Sequence, residues 1–207
     1  MKETLLVATR SSHKLREVSD ILAEFSGFSL LTLADLLLPA SPDEDGLEVF
    51  STFAENAFAK ARYFAGRTGM LTLADDSGLC VDALAGAPGV RSKRFSGRSD
   101  LEGDRLDEAN NELLLRRMAD VPLGKRTAKY VCAAAIVDPQ GREVVFEGSC
   151  FGEILPAPVG AEGFGYDPLF FVPEEAKSFG EMTAPRKNVL SHRARAVRLA
   201  ASYLSRG

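Results

Sequence analysis

Apolar positions along the chain keep two rhythms. Around "TLLVAT" (4–9) they run together and are bounded by polar residues, the signature of a strand buried on both faces. In "HKLREVSDILAEF" (13–25), Leu15, Val18, Ile21, Leu22 and Phe25 return at helical spacing. A proline- and glycine-bearing stretch with four acids, "LLLPASPDEDGLEVF" (36–50), then predicts a loop. The helical rhythm returns in "STFAENAFAKARYFAG" (51–66), with Phe53, Ala57, Ala61 and Phe64 on one face and Ser51 or Thr52 as N-cap. "LTLA" (71–74) predicts a strand that ends at two acids. Residues 102–119 predict a helix with Leu106, Leu113, Leu114 and Met118 inward. Residues 127–155 predict two strands turning at "DPQG" (138–141). "GFGYDPLFFVP" (163–173) leads from a loop into a strand, and a final helix covers about 190–205. The order β-α-α-β-α-β-β-β-α predicts an α/β fold, a mixed central sheet flanked by helices.

Composition narrows the class. The 207 residues, 45% apolar and 26% charged, suit one domain spanning 1–207, with two lobes around a cleft. Net charge is −4 with pI near 5.4 and there is no basic tail, which argues against wholesale binding of nucleic acid. A polyanionic small substrate would need locally gathered lysines and arginines, or a metal. Cys80, Cys132 and Cys150 show no CxxC spacing and read as reduced residues of a cytoplasmic protein. The apolar stretch in "MKETLLVATR" is too short for a signal or a membrane span.

Chemistry gathers at four places. Asp75 and Asp76 adjoin Ser77 and Gly78, and successive side chains of an extended segment point to opposite sides. One acid can therefore face a site, holding Mg²⁺ or activating a water, while its neighbour turns elsewhere. The alternative is a capped turn, with Asp76 or Ser77 accepting from backbone N–H groups. The turn "ATRSSHK" (8–14) lies between a strand and a helix, where free N–H groups and the helix dipole favour a phosphate. Asn56 and Lys60 share a helix face. Lys187, Ser191, His192 and Arg193 cluster near the last helix. With two histidines in the chain, a histidine-based metal cluster is excluded.

Five blocks in order resemble the inosine/xanthosine triphosphate pyrophosphatases, which cleave non-standard purine nucleotides. They are "ATRSSHKLRE", "TFAENAFAKA" (52–61), "ADDSGLCVDALAGAPGV" (74–90), "GFGYDPLFF" (163–171) and "K…SHR" (187–193), spread over nearly the whole chain. The resemblance implies a two-lobed nucleotide-binding fold and Mg²⁺-dependent release of pyrophosphate from dITP, ITP or XTP. It implies that Asp76 is the catalytic carboxylate and a metal ligand. Asp75 supports the metal, and Ser77 touches substrate. Counting seven residues back from Glu55 gives Glu48 as the second metal acid, with the acids of 43–46 as the fallback. Thr9, Arg10, Ser11, Ser12, His13 and Lys14 would cradle phosphate with Lys60, and Asn56 would sit beside them. Phe164, Gly165, Tyr166, Asp167, Lys187, His192 and Arg193 would hold the nucleoside and read its base. The implied partners are a small-molecule nucleotide and a second copy in a homodimer, with neither nucleic acid nor membrane.

The chain departs from the family pattern in the first turn. The pattern there is Thr-Gly-Asn-x-Gly-Lys, whereas this chain has Thr9-Arg10-Ser11-Ser12-His13-Lys14. If the turn needs positive φ at a glycine position, Arg10 or His13 is strained. Base choice would follow from donors on His192 or Arg193 aimed at the purine O6, rejecting the amino group of adenine. Asp167 or a backbone carbonyl would accept from N1–H, and Phe164 and Tyr166 would offer stacking faces. Two rivals compete with this reading: a Maf-type pyrophosphatase for pyrimidine or modified nucleotides, and a nucleotide-binding module without turnover.

Overall fold

The computed structural model describes residues 3–206. The chain divides into two compact units, and neither is continuous in sequence. One comprises the residues up to Ser77 together with 132–148 and the stretch from Ser191 onward; the other comprises 78–131 and 149–190. A seven-stranded sheet has the order β2-β1-β3-β4-β5-β6-β7. Its strands are β1 (Glu3–Val7), β2 (Phe28–Thr32), β3 (Leu71–Val81), β4 (Thr127–Val137), β5 (Glu143–Ile154), β6 (Phe170–Val172) and β7 (Lys177–Ser178). β1 pairs in parallel with both β2 and β3, while β6 is antiparallel to β5 and to β7, so the sheet is mixed.

In the first unit, strand alternation builds two cores. Leu5, Val7, Leu71, Leu73, Cys132, Ala134 and Ile136 face α1 (Ser12–Leu22) and α5 (His192–Leu204), meeting Val18, Ile21, Leu22, Val197 and Ala201. Leu6, Ala8, Ala74, Ala133, Ala135 and Val137 face α2 (Phe53–Thr68), against Ala57, Ala61 and Phe64. Apolar residues at consecutive positions are therefore what a strand covered on both faces requires. Ser11 caps α1 by accepting from the Lys14 N–H, and Thr52 caps α2 by accepting from the Glu55 N–H. α5 enters against bare backbone: a side-chain carbon at Gly148 of β5 would collide with the His192 carbonyl and the Ala196 N–H.

The second unit packs α3 (Gly103–Arg117) and α4 (Ala184–Leu190) with the remaining strand segments around Leu79, Val81, Leu114, Met118 and Leu169. At its centre the rings of Tyr130, Phe170 and Phe179 lie 4.7 to 6.0 Å apart, within the range of favourable aromatic pairing. Buried Arg126 donates to the carbonyls of Met118, Val121, Ile154 and Leu155, closing the end of α3.

Three expectations change. β3 does not end at the acids; it runs eleven residues, through Asp75, Asp76 and Ser77 to Val81. β2 and β7 add strands that the apolar pattern did not mark, because each is short and only partly covered. The final helix lies where it was expected, as α5, and a short helix that the pattern did not mark, α4, precedes it, with Ser191 between them capping α5 through the Ala194 N–H. Cys80, Cys132 and Cys150 are all free thiols. Among the described residues no helix is long and apolar enough to cross a membrane.

Candidate active site

The strand alternation that builds the two cores also separates the two acids. Asp75 belongs to the side of Leu71 and Leu73 and meets α1 and α5. Its Oδ2 lies 3.2 Å from Lys14 Nζ and 3.2 Å from Arg193 Nε, with the Cys132 Sγ 3.8 Å away. Arg193 Nη2 donates to Ser77 Oγ at 2.7 Å, and Nη1 pairs with Glu17. Burial would raise the proton affinity of Asp75, but Lys14, Arg193 and Lys60 outweigh it and hold this carboxyl well below its ordinary range. Asp75 is a fixed anion.

Asp76 points the other way, toward α2. Its Oδ2 accepts from Asn56 Nδ2 at 2.9 Å, and its Oδ1 lies 3.7 Å from Lys60 Nζ. Lys60 reaches Glu48 Oε1 at 2.7 Å and also donates to the Asp75 carbonyl. Asn56 is fully buried; its Oδ1 accepts the Phe50 N–H at 2.9 Å, which ties the loop carrying Glu48 to the amide that orients Asp76. Burial raises the proton affinity of Asp76, Glu48 raises it further, and Lys60 and Lys14 only partly offset this. Lys60 keeps its proton despite burial because Glu48, Asp76 and Asp75 surround it. Two neighbouring carboxyls are thus driven in opposite directions, one fixed as an anion and one poised to take a proton.

The first turn holds without strain. Positive φ at non-glycine residues among those described occurs at Leu37, Ala85 and Ala176, not at Arg10 or His13. Thr9 Oγ1 accepts the Ser11 N–H at 3.2 Å, and Ser12 and His13 form the exposed first turn of α1. Lys14 presents its ammonium beside Asp75. A helix start with a lysine and serines can take a phosphate.

Several expected roles are corrected. Asp75 does not join Asp76 and Glu48 in one ligand set, because it occupies the opposite side of β3. Among the described residues no group of three or more acids, histidines or cysteines converges for a metal. Arg193, 1% exposed, directs Nε, Nη1 and Nη2 at Asp75, Glu17 and Ser77, so it orients these groups. His192, also buried, shares the start of α5 with it. Arg10 does not present its guanidinium to a phosphate: Nε and Nη2 bind Glu44 at 2.9 and 2.7 Å, and Nη1 and Nη2 bind the carbonyls of Leu38 and Pro39.

In the second unit, the 163–167 turn is fastened from several sides. Phe164 N–H donates to Asp167 Oδ2 at 2.9 Å, and Lys187 Nζ binds the same oxygen. Gly165 N–H donates to Asp107 Oδ2 at 2.7 Å, and Asn111 donates to the Gly165 carbonyl at 2.9 Å. Gly163, at φ +80°, leaves no room for a side chain beside the Asp167 carboxylate. Tyr166 is buried, and its hydroxyl donates to the Ser92 carbonyl at 2.7 Å, so it is a core ring and not a stacking face. Asp167 is buried, with Oδ2 taken by Lys187 and the Phe164 N–H. Phe164 stays half-buried, with Lys187 Nζ 4.6 Å from its ring centre. Glu17, Asp107 and Ser92 were not singled out from sequence. Glu17 carried a faint signal, a carboxylate at the buried edge of an amphipathic helix.

The chain as a whole is similar to known proteins. The model of the Ham1 family matches residues 5–203. A dITP/XTP pyrophosphatase of Mannheimia succiniciproducens is 46% identical, over 99% of this chain and 99% of that protein. One of Corynebacterium efficiens is 48% identical, over 94% and 93%. Among solved structures, a HAM1 protein from Coxiella burnetii is similar with a TM-score of 0.84 at 31% identity, covering 99% of this chain and 100% of the other. A nucleoside-triphosphatase / dITP/XTP pyrophosphatase from Mycobacterium abscessus gives 0.72 at 42% identity, covering 95% and 98%.

Proposed function

The chain belongs to the Ham1 family, and from that premise we propose that it is a dITP/XTP pyrophosphatase working through Asp76, Glu48, Lys14 and Lys60. It hydrolyses non-standard purine nucleoside triphosphates to the monophosphate and pyrophosphate. The observation that carries the site assignment is that Asp76 and Glu48 converge on one ammonium, that of Lys60, at 3.7 and 2.7 Å. Two carboxylates against one lysine leave a surplus of negative charge at a place where a triphosphate must bind.

That surplus suits a divalent cation. Magnesium is bound through one or two carboxylates plus substrate phosphates, not by a complete protein cage, and the oxygen pair of Asp76 and Glu48 fits that donor set. Magnesium, when bound, polarises phosphoryl oxygens and makes a water more acidic. The residues do the rest. Lys14 and Lys60 neutralise the phosphates, and Thr9, Ser11, Ser12 and His13 at the entry to α1 orient them. Asn56 holds Asp76 in one rotamer. Asp76, whose proton affinity burial has raised, accepts a proton from the water attacking the α-phosphorus in line, and the bond to the bridging oxygen breaks as pyrophosphate leaves. Arg193 keeps Asp75 ionised and Ser77 oriented. Phe164, half-buried with the Lys187 ammonium over its ring, is the face offered to the nucleoside. A homodimer completes the reading, checked by sedimentation.

Product analysis tests the reaction. With dITP and magnesium we expect dIMP and pyrophosphate from the wild type, and little of either from Asp76→Asn. Orthophosphate with dIDP would mean γ-cleavage and a different enzyme. Faster turnover of dTTP or dUTP than of dITP would favour the Maf-type alternative. Tight ITP binding without any product would favour the non-catalytic one.

A further inference from the structure

Arg10 stands where the family pattern has a glycine, and its side chain is engaged in a way no phosphate ligand would be. Nε and Nη2 form a fork on Glu44 at 2.9 and 2.7 Å, and Nη1 and Nη2 hold the carbonyls of Leu38 and Pro39 at 2.8 and 2.9 Å. The guanidinium also lies over the Phe64 ring of α2, 5.6 Å from its centre. Glu44 is fixed in turn: its Oε1 accepts the Ser41 N–H at 3.1 Å in a capping box that starts a 3-10 turn over Pro42–Gly46. Arg10 is the main reason the Glu44 carboxyl sits below its usual range. The loop that leaves this turn carries Glu48 to Lys60, and two residues later the Phe50 N–H is caught by Asn56. Arg10 therefore fastens the start of the segment, Asn56 fastens its end, and Glu48 lies between.

We infer that Arg10 is a positioning residue, a clasp that together with Glu44 holds the 38–48 loop so that Glu48 meets the phosphate-binding lysine. It does not bind the nucleotide. The fork requires Arg: a lysine would keep the charge but could not span Glu44 and two carbonyls at once. The inference rests on the reading of Glu48 as a magnesium acid for its effect on the reaction, but not for the clasp itself.

Hydrogen exchange of the full-length protein, without nucleotide or metal, reads the clasp directly. We expect amides of residues 38–48 to exchange about ten-fold faster in Arg10→Ala, in Glu44→Ala and in Arg10→Lys alike, and no faster in the double alanine variant. In the same variants the magnesium concentration giving half-maximal pyrophosphate release should rise about ten-fold, the scale for loss of an outer partner of a metal ligand. Exchange in these variants equal to wild type overturns the clasp. So does a raised KM for dITP in Arg10→Ala with Arg10→Lys and Glu44→Ala behaving as wild type, which would make Arg10 a phosphate ligand. If Glu48→Gln leaves magnesium half-saturation unmoved, it is the reading of Glu48 that fails, while the exchange difference still decides the clasp.

Discussion

The two sides of β3 hold nearly the same inventory and use it differently. On the α1/α5 side, Asp75 and Glu17 meet Lys14 and Arg193, two acids against two bases. On the α2 side, Asp76 and Glu48 meet Lys60, with neutral Asn56 filling the remaining contact. The first set is balanced in charge, and its central carboxyl is driven toward ionisation. The second has an acid in surplus, and its central carboxyl is driven toward protonation. The pleat of a strand is what allows this division, since neighbouring residues cannot share a face. Two acids can thus be consecutive in sequence and still be driven in opposite directions.

The largest expected effect breaks the comparison on the reacting side. Asp76→Asn removes the proposed proton acceptor and cation ligand, and kcat/KM for dITP should fall about 1,000-fold, within the range for loss of a general base. Its effect on folding should have the opposite sign. A carboxyl whose proton affinity is raised on folding costs stability when ionised, so the asparagine variant should melt above wild type at pH 7. Asp75→Asn is the mirror experiment. It leaves Arg193 and Lys14 with a buried partner missing and should destabilise the fold by about 3 kcal/mol, measured by denaturant unfolding. Because the Asp75 carboxyl is lowered from 3.8 on folding, its contribution is present above that pH and is lost as pH falls below it. The gap in melting temperature between wild type and Asp75→Asn should therefore narrow below about pH 4. If both variants melt lower by the same amount, the division of roles between the two acids is wrong.

A smaller effect sharpens the electrostatics. Lys60→Met should raise the KM for dITP about ten-fold, a loss of roughly 1.4 kcal/mol of binding, read from steady-state kinetics over a range of salt. Lys60 carries charge that both acids and phosphates use, so its loss should also weaken the hold on Glu48.

Much of this was legible before any coordinates. The helical spacing of Phe53, Ala57, Ala61 and Phe64 marked the apolar face of α2, and the four-residue spacing of Asn56 and Lys60 put those two on one face. The adjacency of Asp75 and Asp76 already implied opposite orientations. What could not be read was which long-range partner each group would choose. Arg193 and Glu17 are 176 residues apart, and a motif gives no sign that a basic residue near the C-terminus will serve an acid in the first helix. Arg10 illustrates the same limit. Its position in a strand-to-helix turn suggested phosphate, while its partner, Glu44, lay in a loop with no periodicity to place it. Tyr166 illustrates it again: a polar aromatic in a glycine-rich turn looks available until the core on which the turn rests is known.

The smallest expected effect carries the distinction between holding and touching into the second unit. Tyr166 and Phe164 are two residues apart on the same turn, one buried with its hydroxyl on the Ser92 carbonyl, the other half-buried above Lys187. Tyr166→Phe leaves that carbonyl without its donor and should cost about 1 kcal/mol of stability, with KM and kcat for dITP near wild type. Phe164→Leu should do the reverse: stability nearly kept, because the ring is not central to the core, and KM raised a few-fold, on the scale of one lost base–aromatic contact, about 1 kcal/mol. The pair is read by thermal melts and steady-state kinetics on the same samples. Were Tyr166→Phe to raise KM while Phe164→Leu left it unchanged, the assignment would be inverted, and the buried hydroxyl would have to reach the nucleoside through Ser92.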